Sequence, residues 1–139
     1  MDHEELTGNI IAAAIQVHRE LGPGFLESVY EKALVVELRH MGLQVQAQRD
    51  IAILYRGVEV GSHRLDLFVQ DLIVVELKAV QNIEPIHFAI LKAYLKATQR
   101  HHGLLLNFAK VTLDIKRVRS TPLPGFLASP FIPTATTST

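Results

Sequence analysis

Apolar residues recur every three to four positions at Leu6, Ile10, Ala14, Val17 and Leu21, which predicts a helix with one buried stripe over residues 6–21. Gly22-Pro23-Gly24 stops it. A second helix is predicted over residues 25–40, with Val29, Ala33, Leu38 and either Val36 or Leu34 facing inward and Gly42 as its end. The period then shortens. Residues 45–55, 58–69 and 72–78 are rich in β-formers and are separated by Arg56-Gly57 and Gln70-Asp71, the pattern of an antiparallel meander. Helical spacing returns over residues 82–101, with Ile83, Ile86, Ile90, Leu91, Tyr94 and Leu95 on one face, Pro85 in the first turn and Gly103 as the stop. Residues 103–108, apolar apart from Asn107, predict a buried strand, and residues 111–119 a last one. The predicted order is ααβββαββ.

After Ser120 the composition shifts to Pro, Thr and Ser, so the expectation is a folded domain over residues 1–119 and a tail over 120–139 without regular structure. Phe126, Leu127, Phe131 and Ile132 are the tail residues able to dock on the body or on a partner.

Composition narrows the classes. With 139 residues, 48% of them hydrophobic, the chain supports one packed core and is too short for two. It has no Cys, which excludes disulfides, thiol catalysis and Cys-based metal sites. Lys and Arg number 14, as do Asp and Glu, so bulk positive charge does not hold nucleic acid here, although a local basic surface still could. The opening residues are acidic where a secretory leader would be basic, and the early apolar run at 10–15 falls far short of the ~20 residues that cross a bilayer. A soluble, cytoplasmic protein with no membrane partner is expected.

Three charged residues interrupt apolar strands. Asp66 sits among Leu65, Leu67, Phe68 and Val69, and Glu76 and Lys78 break the run at 72–77, where an ionised group is costly unless paired or bound to a cation. Glu76 and Lys78 are two apart and share a strand face. Whether Asp66 joins them depends on register. A two-residue loop at Gln70-Asp71 would pair Asp66 with Val75 and separate the carboxylates, whereas a three- or five-residue loop would set Asp66 opposite Glu76 with Cβ atoms about 5 Å apart. Facing carboxylates call for a cation, and hard oxygen ligands suit Mg²⁺ or Mn²⁺, which activates water and offsets charge on a phosphodiester, with Lys78 adding a second positive charge. The same spacing also serves an ordinary cross-strand ion pair of Asp66 with Lys78 or Arg64.

Four motifs in order now resemble a known group. Gly24-Phe25-Leu26-Glu27-Ser28-Val29-Tyr30 matches G-x-x-E-x-x-Y, and Arg64-Leu65-Asp66 with Val75-Glu76-Leu77-Lys78 matches the D…E-x-K core of the PD-(D/E)XK nuclease superfamily. With Tyr94-Leu95-Lys96 and the stretch at 103–108, the chain resembles the GxxExxY proteins of that superfamily over residues 10–119. The resemblance implies an α/β, restriction-endonuclease-like core, a mixed β-sheet flanked by helices whose hairpin carries the metal ligands. It assigns Asp66, Glu76, the Leu77 carbonyl and Glu27 to Mg²⁺, and Lys78 to the water. Tyr30, nearly on the Glu27 face of its helix, would steady that carboxylate or touch substrate, and Arg64 would pair with Glu27 or contact a phosphate. Ile90 stands one turn before Tyr94 where many relatives carry Gln, a departure that bears on catalytic competence but not on the metal ligands.

Other features add less. Lys92, Lys96 and Arg100 form a basic stripe that serves equally as a solvated helix face or as a phosphate track, and Lys116, Arg117 and Arg119 are a second such group. Tyr94 is a core or rim aromatic by spacing, and a substrate contact if the cleft lies beside it. The seven histidines hold no close ligand pair, and G-x-S-x-G and phosphate-loop motifs are absent. The resulting expectation is a Mg²⁺-dependent phosphodiesterase acting on DNA in preference to RNA through Asp66, Glu76 and Lys78, with Glu27 assisting. Its rival is a catalytically inactive nuclease-fold module that binds nucleic acid or protein. A homodimer follows for either by fold-level analogy.

Overall fold

The computed structural model describes residues 3–120, so the expectations for the tail lie outside the described residues. The elements are α1 (His3–Leu21), α2 (Glu27–His40), β1 (Val45–Tyr55), β2 (Val58–Val69), β3 (Ile73–Lys78), α3 (Pro85–Thr98), β4 (His102–Asn107) and β5 (Asp114–Arg119), in the order predicted. The strands form one five-stranded sheet in sequence order. β3 and β4 run parallel, joined across one face by α3, while the other neighbours are antiparallel, giving a mixed sheet. No described helix is long and apolar enough to cross a membrane.

Two apolar layers sandwich the sheet. On one face, α1 and α2 bury Leu6, Ile10, Ala14, Val17, Leu34 and Leu38 against Leu67, Val75, Leu77, Leu104 and Leu106. On the other, Leu91 and Leu95 of α3 pack on Leu65, Phe68, Val74, Leu105 and Val118. The central run at β4 is covered on both sides, which explains its unbroken apolar sequence. Gly103 belongs to this packing: a Cβ there would stand 3.0 Å from Leu91 Cδ2, so glycine admits α3 close to β4.

Two helices differ from expectation. The buried line of α2 is Tyr30, Leu34 and Leu38, each four residues on from the last, while Val29 and Val36 face solvent. α3 is shorter than 82–101. The Glu84 N–H donates to His87 Nδ1 (2.8 Å) at its start, and Gln99 ends it in the left-handed region (φ 54°), four residues before Gly103. This early stop frees Arg100 to reach Asp71, and it makes His102 the first residue of β4 rather than part of a helix end. Ile86 and Ile90 are exposed, so the apolar face of α3 is narrower than its sequence suggests.

Candidate active site

The β2–β3 connection determines the site. Gln70 and Asp71 both adopt positive φ (55° and 56°), and the Leu72 N–H donates to the Val69 carbonyl (3.0 Å), closing a three-residue loop. Contacts from distant elements hold it there. Gln70 Oε1 accepts the Gln44 N–H (2.6 Å), and Asp71 takes Arg49 (3.4 Å) and Arg100 (3.2 Å). The ladder is therefore Val69 to Ile73 and Leu67 to Val75, and one step further it sets Asp66 against Glu76. Of the two registers left open by the sequence, this one faces the carboxylates.

The two acids are locked to each other's backbone. Leu77 N–H donates to Asp66 Oδ2 (2.9 Å), and Asp66 N–H donates to Glu76 Oε2 (3.1 Å). Burial, and then the charge of Asp66, push the Glu76 carboxyl up to about 8. Burial likewise raises Asp66, against the opposing pull of the Leu77 N–H and of Lys78. Lys78 stands beside them at the end of β3, where its carbonyl accepts the Phe108 N–H (2.9 Å). Asn107, the one polar residue in its run, bonds both the N–H and the carbonyl of Val80 (3.2 and 2.9 Å), which fixes the chain just past Lys78. Among the described residues no ion pair joins Asp66 to Lys78 or Arg64, so the simple cross-strand pair is not what these charges form.

α2 brings two more acids. Glu27, its first residue, accepts a hydrogen bond from the Ala79 backbone, and burial followed by Asp66 raises its carboxyl. Glu31 lies one turn on, raised by burial and again by Asp66. Sequence reasoning overlooked Glu31, although its spacing of four from Glu27 puts it on the same helix face.

Tyr30 and Arg64 do other work than expected. Tyr30 is fully buried, its ring stacked on Phe108 (4.6 Å between centroids), and its hydroxyl donates to the Gly22 carbonyl (2.6 Å) while accepting the Phe25 N–H (3.1 Å). With both partners internal, this side chain ties down the turn before α2 and so sets where Glu27 begins; it is not available to substrate. Arg64 pairs with Asp50 (3.1 Å) on the exposed part of the hairpin and does not reach Glu27. The cause is a reversal of strand alternation: Leu65 belongs to the α3 side of the sheet, yet Leu67, two residues on, belongs to the α1–α2 side. His63 takes the inward place instead. It stacks on Tyr94 (4.0 Å, 18°), within the electrostatic reach of Asp66 and Lys78, and burial lowers its pKa. Tyr94 is half-buried, and its hydroxyl is pushed up to about 12 by burial and by Glu76 and Asp66, so it stays protonated and can donate to an anion.

The basic stripe is only partly free. Arg100 is engaged by Asp71 and lies over the Phe68 ring, while Lys92 and Lys96 are exposed on α3 without an ion pair to the acids among the described residues. Lys116 pairs with Asp114 (3.5 Å).

Among the described residues no three His, Asp or Glu side chains converge into a ready cation cage. The donor set nevertheless fits Mg²⁺ or Mn²⁺, since a hard cation of this kind is usually held by one or two carboxylates and completes its shell with water and phosphate. Two facing carboxyls withdrawn from water supply that chemistry, and a divalent charge would relieve the repulsion that raises Glu76.

No curated protein and no solved structure matches the chain. A model of the PD-(D/E)XK nuclease superfamily matches residues 4–118, nearly the whole described fold and a span that includes Asp66, Glu76 and Lys78. The α/β sheet, flanked by helices in the order ααβββαββ, agrees with the restriction-endonuclease-like fold, and the chain belongs to the PD-(D/E)XK nuclease superfamily.

Proposed function

We propose that the protein is a Mg²⁺- or Mn²⁺-dependent phosphodiesterase of nucleic acid, with DNA preferred over RNA, and that it belongs to the narrower GxxExxY group. The observation that carries this reading is the opposed pair of a half-buried Asp66 and a buried Glu76, mutually repelling and flanked by Lys78. Asp66, Glu76 and the Leu77 carbonyl would hold the cation, with Glu27 approaching from α2. When bound, a divalent cation supplies Lewis acidity to water and to the phosphate oxygens. Lys78 orients the attacking water and offsets charge on the phosphate, Tyr94 donates its hydroxyl to a phosphate oxygen, and Lys92 and Lys96 draw the backbone toward the cleft. A homodimer offering one site to each strand is the symmetric form of this reading.

A second reading, a module that binds nucleic acid or protein without cutting, is favoured by Ile90, which stands exposed one turn before Tyr94 in place of the group's Gln. Cleavage separates the two. With Mg²⁺ or Mn²⁺, the parent is expected to nick plasmid or cut single-stranded DNA, and chelator should stop the reaction until the cation is returned. Cleavage indifferent to chelator would reject the cation-dependent mechanism, and retention of DNA without any cleavage would favour the binding module.

A further inference from the structure

Five residues other than glycine have positive φ among the described residues, and four of them serve obvious ends. Arg56, Gln70 and Asp71 form turns, and Gln99 ends α3. Gln48 (φ 56°) alone lies inside a strand, in the middle of β1. Left-handed backbone is unfavourable for a side chain with a Cβ, and within a strand it requires compensation.

The compensation lies at the site. Ala47 pairs with Leu67 and Arg49 with Leu65, so Gln48 falls opposite Asp66, at the step where β2 reverses its faces. Gln48 Nε2 donates to both oxygens of Glu31 (2.9 and 2.8 Å), and the strand pairing sets the same residue across from Asp66, where its side chain favours the ionised carboxylate. A neutral amide has a specific merit here. It can hold two carboxylates without neutralising either, whereas Lys or Arg in that place would compete with a cation for them.

We propose that Gln48 is a positioning residue for Asp66: its amide, anchored on Glu31, sets where the Asp66 carboxylate stands before the cation. The inference rests on the proposed cation-dependent activity. It makes Glu31 an anchor that acts by accepting a hydrogen bond and not by its charge.

The test is Mn²⁺ affinity, measured by calorimetry and electron paramagnetic resonance, together with thermal unfolding, on the parent, Gln48→Gly, Gln48→Asn and Glu31→Gln. Glycine and asparagine both accept the left-handed backbone, so the fold and melting temperature should be retained, while glycine removes the amide and asparagine falls one methylene short of Glu31. Loss of such a supporting contact is expected to weaken Mn²⁺ binding about tenfold or more in both. Glu31→Gln keeps an acceptor for Gln48 and should stay within about threefold of the parent. Parent-like affinity in a folded Gln48→Gly would overturn the proposal, as would a Glu31→Gln loss as large as that of Gln48→Gly. A parent that binds no Mn²⁺ would reject the nuclease reading itself and this inference with it, and the parent titration alone distinguishes the two failures.

Discussion

Replacing Lys78 by methionine or alanine should leave a folded protein whose Mg²⁺-dependent cleavage of DNA is reduced about 10²–10⁴-fold, the range for loss of a group that positions or assists a proton transfer. Lys78 is the one cation whose field reaches Glu27, Asp66 and Glu76 together among the described residues. It forms no ion pair with them within the described chain, so its charge is not consumed by the fold. Methionine retains the apolar stem that lies half-buried at the end of β3, which confines the loss to the ammonium group. Circular dichroism and melting at about pH 6 should match the parent within about 1 kcal/mol. Retained cleavage in a folded Lys78→Met would remove Lys78 from the mechanism.

The second large effect concerns pH. Glu76 in the folded protein has its carboxyl pushed up to about 8, from an ordinary 4.5, by burial and by Asp66. The folded state therefore binds more protons than the unfolded one between those values. Stability of the cation-free protein should fall as pH rises from about 4.5 to about 8, by a few kcal/mol if Glu76 acts alone. Asp66 and Glu27, raised for the same reason, act in the same direction. Glu76→Gln keeps an acceptor for the Asp66 N–H but has no charge to bury, so its stability should fall less steeply across this window, leaving only the contributions of Asp66 and Glu27, and exceed the parent's at about pH 8. Mg²⁺ should restore much of the parent's loss at that pH, because a ligand that binds only the folded state stabilises it. Denaturant unfolding of chelated parent at several pH values checks the sign. A stability that rises toward about pH 8 would mean that Glu76 is not a buried, repelled carboxyl.

Much of the candidate site is legible in the sequence, and the reasons are specific. Asp66, Glu76 and Lys78 stood out because charge inside an apolar strand demands a purpose. Their register did not, since the three-residue loop depends on positive φ at Gln70 and Asp71, held by Gln44, Arg49 and Arg100 from elsewhere in the chain. The alternation rule then failed at one step. It set Arg64 on the Asp66 face, toward Glu27, whereas the reversal opposite Gln48 gives the inward place to His63. No period in the sequence marks a left-handed residue inside a strand. Tyr30 misled in another way: its helix position pointed toward Glu27, but its hydroxyl found partners in the preceding turn at Gly22 and Phe25. Elements were predicted correctly in kind and order, while the ends of α3 were set by Gln99 and Glu84 rather than by the glycine that looked like the stop.

The central claim, that Asp66 and Glu76 form a cation site serving phosphodiester cleavage, is tested most directly by titrating Mn²⁺ into the chelated parent and into Asp66→Ala by calorimetry, with plasmid nicking followed on the same samples. The account predicts saturable binding and nicking in the parent, and loss of both in a variant that still folds. A folded parent that takes up no cation, or an Asp66→Ala that binds and cuts as the parent does, would contradict it.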